Sequence, residues 1–284
     1  MSKRIGLVTD STCDIPAEWR EQYHIEIVPL TVIFGSKQYL DGVEMTASQF
    51  YDRLPQDSTH PSTSQPSPQA FAEAFDRAAA RGADEILAIT ISSALSGTVE
   101  SARQAAAEFS IPVHVMDSRN TSMGLGWQVM AAARVQESGG SLEDMIKAVE
   151  YTRQNMAFYV SLDTMEYLAR GGRMSDAARF LDSVLHIKPL IYVNPETGSV
   201  GASLPSRSRK SAVQTLYREF FRHISSGQNQ HVAVLHTQAL DEAQTLAERL
   251  QNEHPGCEMI VGFGAPVLGV HVGLKALALC GYAD

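Results

Sequence analysis

The sequence is poor in cysteine, in long apolar runs and in positive charge. Its three cysteines, Cys13, Cys257 and Cys280, form no CxxC pair and have no histidine at ligand spacing. That excludes a disulfide framework and leaves a zinc site without support, so inert thiols are expected. No uninterrupted apolar run approaches the roughly 18–20 residues that span a bilayer. The start, Met1-Ser2-Lys3-Arg4, is basic, but the apolar stretch behind it breaks at Thr9-Asp10, too soon for a secretory signal. The reading is a cytoplasmic chain. Lys plus Arg number 23 against 32 Asp plus Glu, a net charge of −9, which argues against a nucleic-acid partner.

The common catalytic signatures are absent as well. There is no GxxxxGK[ST] phosphate loop, no GxSxG elbow and no HExxH. Gly124-x-Gly126 and Gly262-x-Gly264 both lack the third glycine of a dinucleotide fingerprint. Asp10, Asp14 and Asp117 fall at strand ends, where carboxylates either bind a metal or, more ordinarily, cap loops. A serine–histidine–aspartate set is available by composition, and Ser93 with His271 would carry an acyl ester hydrolase or acyltransferase. No metal site, catalytic residue or cofactor is assigned.

What is present is a 44% hydrophobic chain of 284 residues, enough to bury a core and long enough for two domains at about 150 residues each. Strand–loop–helix units recur. Arg4–Val8, Glu85–Ile91 and Ile111–Met116 read as buried parallel strands, each followed by a polar loop and a helix. Residues 55–68 form a polar stretch with four prolines, Pro55, Pro61, Pro66 and Pro68, expected as one long functional loop. Beyond residue 156 the pattern changes. Lys188–Val193 and Ser199–Leu204 flank Asn194-Pro195-Glu196-Thr197-Gly198, an antiparallel hairpin signal. The expected fold is two α/β domains: residues 1–154 with a mostly parallel sheet and helices on both faces, and residues 155–284 with a mixed sheet and helices. A ligand cleft is expected between them.

Hydroxyl residues cluster where such sheets bind ligands. Thr9-Asp10-Ser11-Thr12 follows the first strand, Ser92-Ser93-Ala94-Leu95-Ser96-Gly97-Thr98 a later one, and Asp117-Ser118…Thr121-Ser122 another. Thr63-Ser64 lies in the long loop. Hydroxyls and free helix N–H groups together suit an anion, although Ser96 and Thr121 also read as ordinary helix caps. A basic group, Arg170-Gly171-Gly172-Arg173, with Arg207 and Arg209 further on, suits phosphate or a carboxylate-rich partner, or else a solvated helix end. His271 sits in the glycine-rich run Gly262–Gly273, as a core histidine or as a donor to a buried carboxylate.

Taken in order, these segments resemble the DegV family. The resemblance rests on Val8–Pro16, Thr63–Pro68, Ile91–Thr98, Asp117-Ser118…Gly124-Leu125-Gly126, Leu162…Gly171-Gly172-Arg173, Ile187-Lys188-Pro189-Leu190 and Pro266–Gly273, and so covers essentially the whole chain. It implies a bacterial protein of two α/β domains that holds a long-chain fatty acid in an apolar tunnel between them. It further implies an acyl-carrying subunit that presents the carboxylate to a separate ATP-dependent fatty acid kinase for phospholipid metabolism. By motif position Thr63 and Ser93, with Ser64, Ser92, Ser96 and His271 beside them, would hold the carboxylate. Arg170, Arg173, Arg207 and Arg209 would face the partner or its phosphate. One departure is that Gly273-Leu274-Lys275 stands where the family commonly has Gly-Pro-Gly.

Overall fold

The computed structural model describes residues 3–173, 187–203, 205–224 and 229–284. In chain order the strands are β1 (Ile5–Asp10), β2 (Glu26–Val28), β3 (Thr31–Phe34), β4 (Lys37–Leu40), β5 (Ser62–Ser64), β6 (Glu85–Thr90), β7 (Val113–Asp117), β8 (Ala157–Ser161), β9 (Leu190–Val193), β10 (Val200–Ala202), β11 (Gln230–His236), β12 (Glu258–Phe263) and β13 (Leu277–Ala283). The helices are α1 (Ala17–Gln22), α2 (Ala47–Arg53), α3 (Pro68–Ala80), α4 (Thr98–Ala107), α5 (Ser122–Glu137), α6 (Leu142–Gln154), α7 (Glu166–Arg170), α8 (Arg209–His223), α9 (Leu240–Glu253) and α10 (Pro266–Val272).

Three sheets organise them. The first is four-stranded and parallel, in the order β2-β1-β6-β7. Every residue of β6 is buried, as expected for a parallel strand covered on both faces. The second is six-stranded and mixed, β10-β9-β8-β13-β11-β12, with β11 and β12 parallel and the other pairs antiparallel. The hairpin expected around Asn194–Gly198 is β9–β10, and Leu204 lies outside the described residues.

The third sheet corrects the sequence reading. Residues 55–68 are not one uninterrupted loop, because Ser62–Ser64 pairs antiparallel with β3 in a small β4-β3-β5 sheet. A three-residue strand of hydroxyls carries no apolar alternation, so only its tertiary pairing reveals it. Its register sets Thr63 opposite Val32 and fixes where the Thr63 side chain stands.

Helix α5 lies between the two large sheets. Twelve of its residues, Ser122 through Ala133, are buried, as suits a helix enclosed on all sides. One core joins Leu7 and Leu87 of the first sheet, Met123, Trp127 and Met130 of α5, and Phe158, Val160 and Ala278 of the second. Gly126 is required here: a Cβ on it would lie 2.4 Å from the Cys13 carbonyl oxygen. Among the described residues no helix is long and apolar enough to cross a membrane.

Candidate functional site

A cavity of about 390 Å³ opens between the sheets, within the range of small-molecule sites. Most of its wall is hydrocarbon. Phe158 and Val160 of β8, Ile191 and Val193 of β9, Val200 of β10, Leu235 of β11 and Ala278 of β13 line one side. Leu30, Ile91 and Leu95 come from the other half, and Val267, Leu268 and Val272 of α10 close a flank. These are the inward positions of strands whose outward positions pack on α8 and α9, so the period-2 pattern builds the wall.

Polar groups gather at one part of this wall. Strand β5 brings Thr63 and Ser64, the loop before α4 brings Ser96, the last turn of α10 brings His271, and Arg173 follows α7. The Thr63 hydroxyl lies 3.1 Å from His271 Nε2. Burial, with the Arg173 charge and His60 adding to it, pushes the imidazole down to about 4, so the ring is neutral at pH 7. Its Nδ1 has no hydrogen-bond partner among the described residues and faces Gly171, where a Cβ would approach within 2.1 Å. A ring that donates from Nε2 leaves the Thr63 hydroxyl hydrogen available to a ligand. Arg173 donates from Nη1 to the Gly171 carbonyl at 2.7 Å and from Nε to the Leu95 carbonyl at 3.2 Å. A guanidinium has five N–H donors, so three remain beyond these two contacts among the described residues. The arrangement can bind an anion through one cation and neutral donors at the end of an apolar cavity.

Not every expected residue is there. Thr63, Ser64, Ser96, His271 and Arg173 line the cavity, whereas Ser92 and Ser93 do not. Ser92 is fully buried, donates to the Gly198 carbonyl at 2.9 Å and accepts from the Ala94 amide, tying the loop to the β9–β10 hairpin. That turn swings Ser93 outward, where its amide meets the Asp117 carboxylate at 3.3 Å and its side chain is exposed. The hydroxyl of this loop that faces the cavity is therefore Ser96. Nor is Ser96 a helix cap, since Gly97 holds that position and the Ser96 hydroxyl bonds Thr98 Oγ1 at 2.8 Å. Thr121 stands at the start of α5 without a capping bond, its Oγ1 buried at the cavity wall with no partner among the described residues.

The basic residues also separate. Arg170 is exposed and paired with Glu166, one turn away on α7. Arg207 is exposed ahead of α8. Arg209 makes a bidentate pair with Glu242, both contacts 2.8 Å, in another surface groove lined also by Lys188 and Lys275. It is held structurally and does not reach the cavity. Lys275, in the turn after α10, takes a φ of +58° and donates its amide to the Thr237 carbonyl at 2.6 Å.

Two residues not assigned to the ligand in the sequence complete the wall. Asp14, at the far end of α10 from His271, accepts from the Ser122 hydroxyl and, at 3.0 Å, from the Ala265 amide. Burial pushes its carboxyl up to about 7. Gln65 borders the cavity and bonds Ser101 at 3.0 Å. Among the described residues no cluster of three or more His, Cys, Asp or Glu is placed to hold a metal.

Two α/β sheet systems around a mostly apolar cavity, with one polar group at Thr63, Ser96, Arg173 and His271 and another at Thr12, Asp14, Thr121 and Ser122, define a small-molecule-binding architecture. The family model described as "uncharacterised protein, DegV family" matches residues 4–284, and the chain belongs to the DegV family. It is 35% identical over 274 residues to a DegV domain-containing protein of Streptomyces coelicolor, covering 96% of each chain. It is 32% identical over 278 residues to Protein DegV of Bacillus subtilis, covering 97% of this chain and 98% of that one. Among solved structures, a DegV family protein from Thermus thermophilus, described for its fatty acid binding, is similar with a TM-score of 0.92 and 32% identity, covering 99% of this chain and 100% of that one. DegV of Bacillus subtilis, described as a fatty acid binding protein, gives 0.90 and 31%, with 99% of each chain covered.

Proposed function

We propose that this chain binds one long-chain fatty acid in the cavity between its sheets. The carboxylate meets Thr63, Ser96 and Arg173, and His271 orients the Thr63 hydroxyl. The observation that carries this is the conjunction of a mostly hydrocarbon-walled cavity with the polar corner at Thr63, Ser96, Arg173 and His271, in a chain resembling proteins described as fatty acid binding. Apolar burial supplies the affinity. At about 0.8 kcal/mol per buried CH₂, a sixteen-carbon chain contributes roughly 10 kcal/mol before ordering costs. The head group then needs few donors, in keeping with the missing phosphate loop. The hydrolase alternative is disfavoured because Ser93 points out of the cavity and His271 is partnered by Thr63.

Our reading continues to the partner. The chain is a cytoplasmic carrier, with residues 1–154 and 155–284 as its two domains. It presents the bound carboxylate to a separate kinase, whose ATP gives up its γ-phosphoryl group to a carboxylate oxygen, leaving acyl phosphate and ADP. Arg173, exposed yet bordering the cavity, is the residue best placed to meet both carboxylate and phosphate. The test mixes loaded chain, ATP and a bacterial fatty acid kinase. Arg173→Ala should cut acyl-phosphate formation about tenfold or more, the loss of a charge-assisted hydrogen bond. Undiminished transfer by that variant, or none by the wild type, would contradict this reading.

A further inference from the structure

Helix α10 carries His271 at one end and starts at Ala265 at the other. The six residue steps from Ala265 to His271, at 1.5 Å rise each, separate the two by about 9 Å. The start of this helix lacks a cap of its own, because Ala265 offers no side-chain acceptor. Two carboxylates from the first half of the chain reach across to it instead. Asp14 Oδ1 accepts the Ala265 amide at 3.0 Å, and Asp41 Oδ1 accepts the Val267 amide at 3.2 Å. Each is fixed from behind: Asp14 by the Ser122 hydroxyl, Asp41 by the Ser11 hydroxyl at 2.6 Å. Ser11 in turn accepts the Leu30 amide at 3.0 Å. Tyr51 of α2 closes the same junction by donating to the Gly264 carbonyl at 3.0 Å.

Stability alone does not explain two carboxylates here. Burial pushes both up to about 7, so their ionised forms are disfavoured in the fold. The groups that bear on their charge are each other and Asp10, with Tyr51, Cys13 and Cys280 nearby, and no cation of the described residues offsets it. What the pair supplies is place. We propose that Asp14 and Asp41 are positioning residues for the head-group site: they fix the start of α10 from the opposite half of the chain, and the helix delivers the His271 ring to the Thr63 hydroxyl. The proposal deepens the fatty-acid reading and rests on it for the meaning of that site, but the contact itself is measurable without lipid.

The test follows the His271 imidazole by NMR titration of lipid-free, full-length protein labelled at histidine. In the wild type burial should hold the ring's titration down at about 4. In Asp14→Ala and in Asp41→Ala the ring should be less enclosed and its titration should climb toward the ordinary 6.5. Asp41→Asn should restore the wild-type value, because its amide oxygen still accepts the Val267 N–H. Should one alanine variant fail to fold, the other decides, and Ser11→Ala, which frees Asp41 from behind, stands in if neither folds. In a second arm, palmitate should leave the alanine variants about tenfold faster than the wild type. A His271 titration unmoved in every folded variant, or an asparagine variant as displaced as alanine, would overturn the proposal. A wild type that binds no palmitate would instead overturn the fatty-acid reading, with the ring titration still deciding the clamp.

Discussion

Thr63→Val is the sharpest perturbation of the head-group corner. Valine keeps the β-branched shape that β5 needs opposite Val32 and removes only the hydroxyl. Two losses follow. With ligand bound, a hydrogen bond to a charged oxygen disappears, about 1.5–3 kcal/mol, or roughly 10- to 150-fold in Kd. Without ligand, His271 Nε2 loses the Thr63 contact at 3.1 Å, and since Nδ1 is unpartnered among the described residues, both ring nitrogens are left without a described partner. A buried unsatisfied group costs about 1–3 kcal/mol, which lowers Tm by roughly 2–6 °C in a chain of this size. Calorimetric titration of delipidated protein with palmitate reads the first loss and a thermal melt the second. Ser93→Ala is the matched control: its exposed hydroxyl is outside the cavity, so both readouts should stay within about 0.5 kcal/mol of wild type. A Thr63→Val protein that binds palmitate like the wild type, or a Ser93→Ala protein that loses tenfold, would refute the placement of the carboxylate.

Two further predictions concern the wall and the buried acids. Ala278 lines the cavity from β13, so Ala278→Phe should fill the space meant for hydrocarbon; lipid retention on purification should collapse, while stability moves by no more than the roughly 1–3 kcal/mol of a tight repacking. Asp14 has a folded value near 7, above its ordinary one, so between about 4 and 7 the folded state holds more protons than the unfolded and stability falls as pH rises. Asp14→Asn removes that dependence and keeps an acceptor for the Ala265 amide, so its Tm should gain on the wild type as pH goes from 5 to 8. An unchanging gap would show that Asp14 is not a costly buried carboxylate. His271, held low at about 4, works in the opposite direction between 6.5 and 4 in both proteins and cancels from the comparison.

The parallel units β1-α1, β6-α4 and β7-α5 were legible because buried strands bounded by polar loops leave a strong pattern. The hairpin β9–β10 was legible from its turn residues. Strand β5 was not, since three hydroxyl residues say nothing of a sheet until β3 pairs with them. The choice between Ser93 and Ser96 was equally hidden. Both stand in one hydroxyl-rich loop, and the one that faces inward is decided by the Ser92 bond to Gly198, 106 residues away. Arg173 was visible as a cation beside paired glycines, while its place at the cavity follows from the Leu95 and Gly171 carbonyls that orient it. Asp14 reads in the sequence as a metal ligand or a loop cap and Asp41 is not singled out, because their partners are backbone amides far along the chain, which no motif spells out.

The central claim is that the cavity holds a fatty acid, and mass spectrometry of the lipid extracted from denatured recombinant protein tests it most directly. The expected result is one long-chain fatty acid per chain, and a delipidated sample whose Tm rises when palmitate or oleate is added. Ligand at 100 times its Kd should contribute roughly 2.7 kcal/mol, which a melt resolves. Protein that extracts clean, and whose Tm ignores both fatty acids, would contradict the claim.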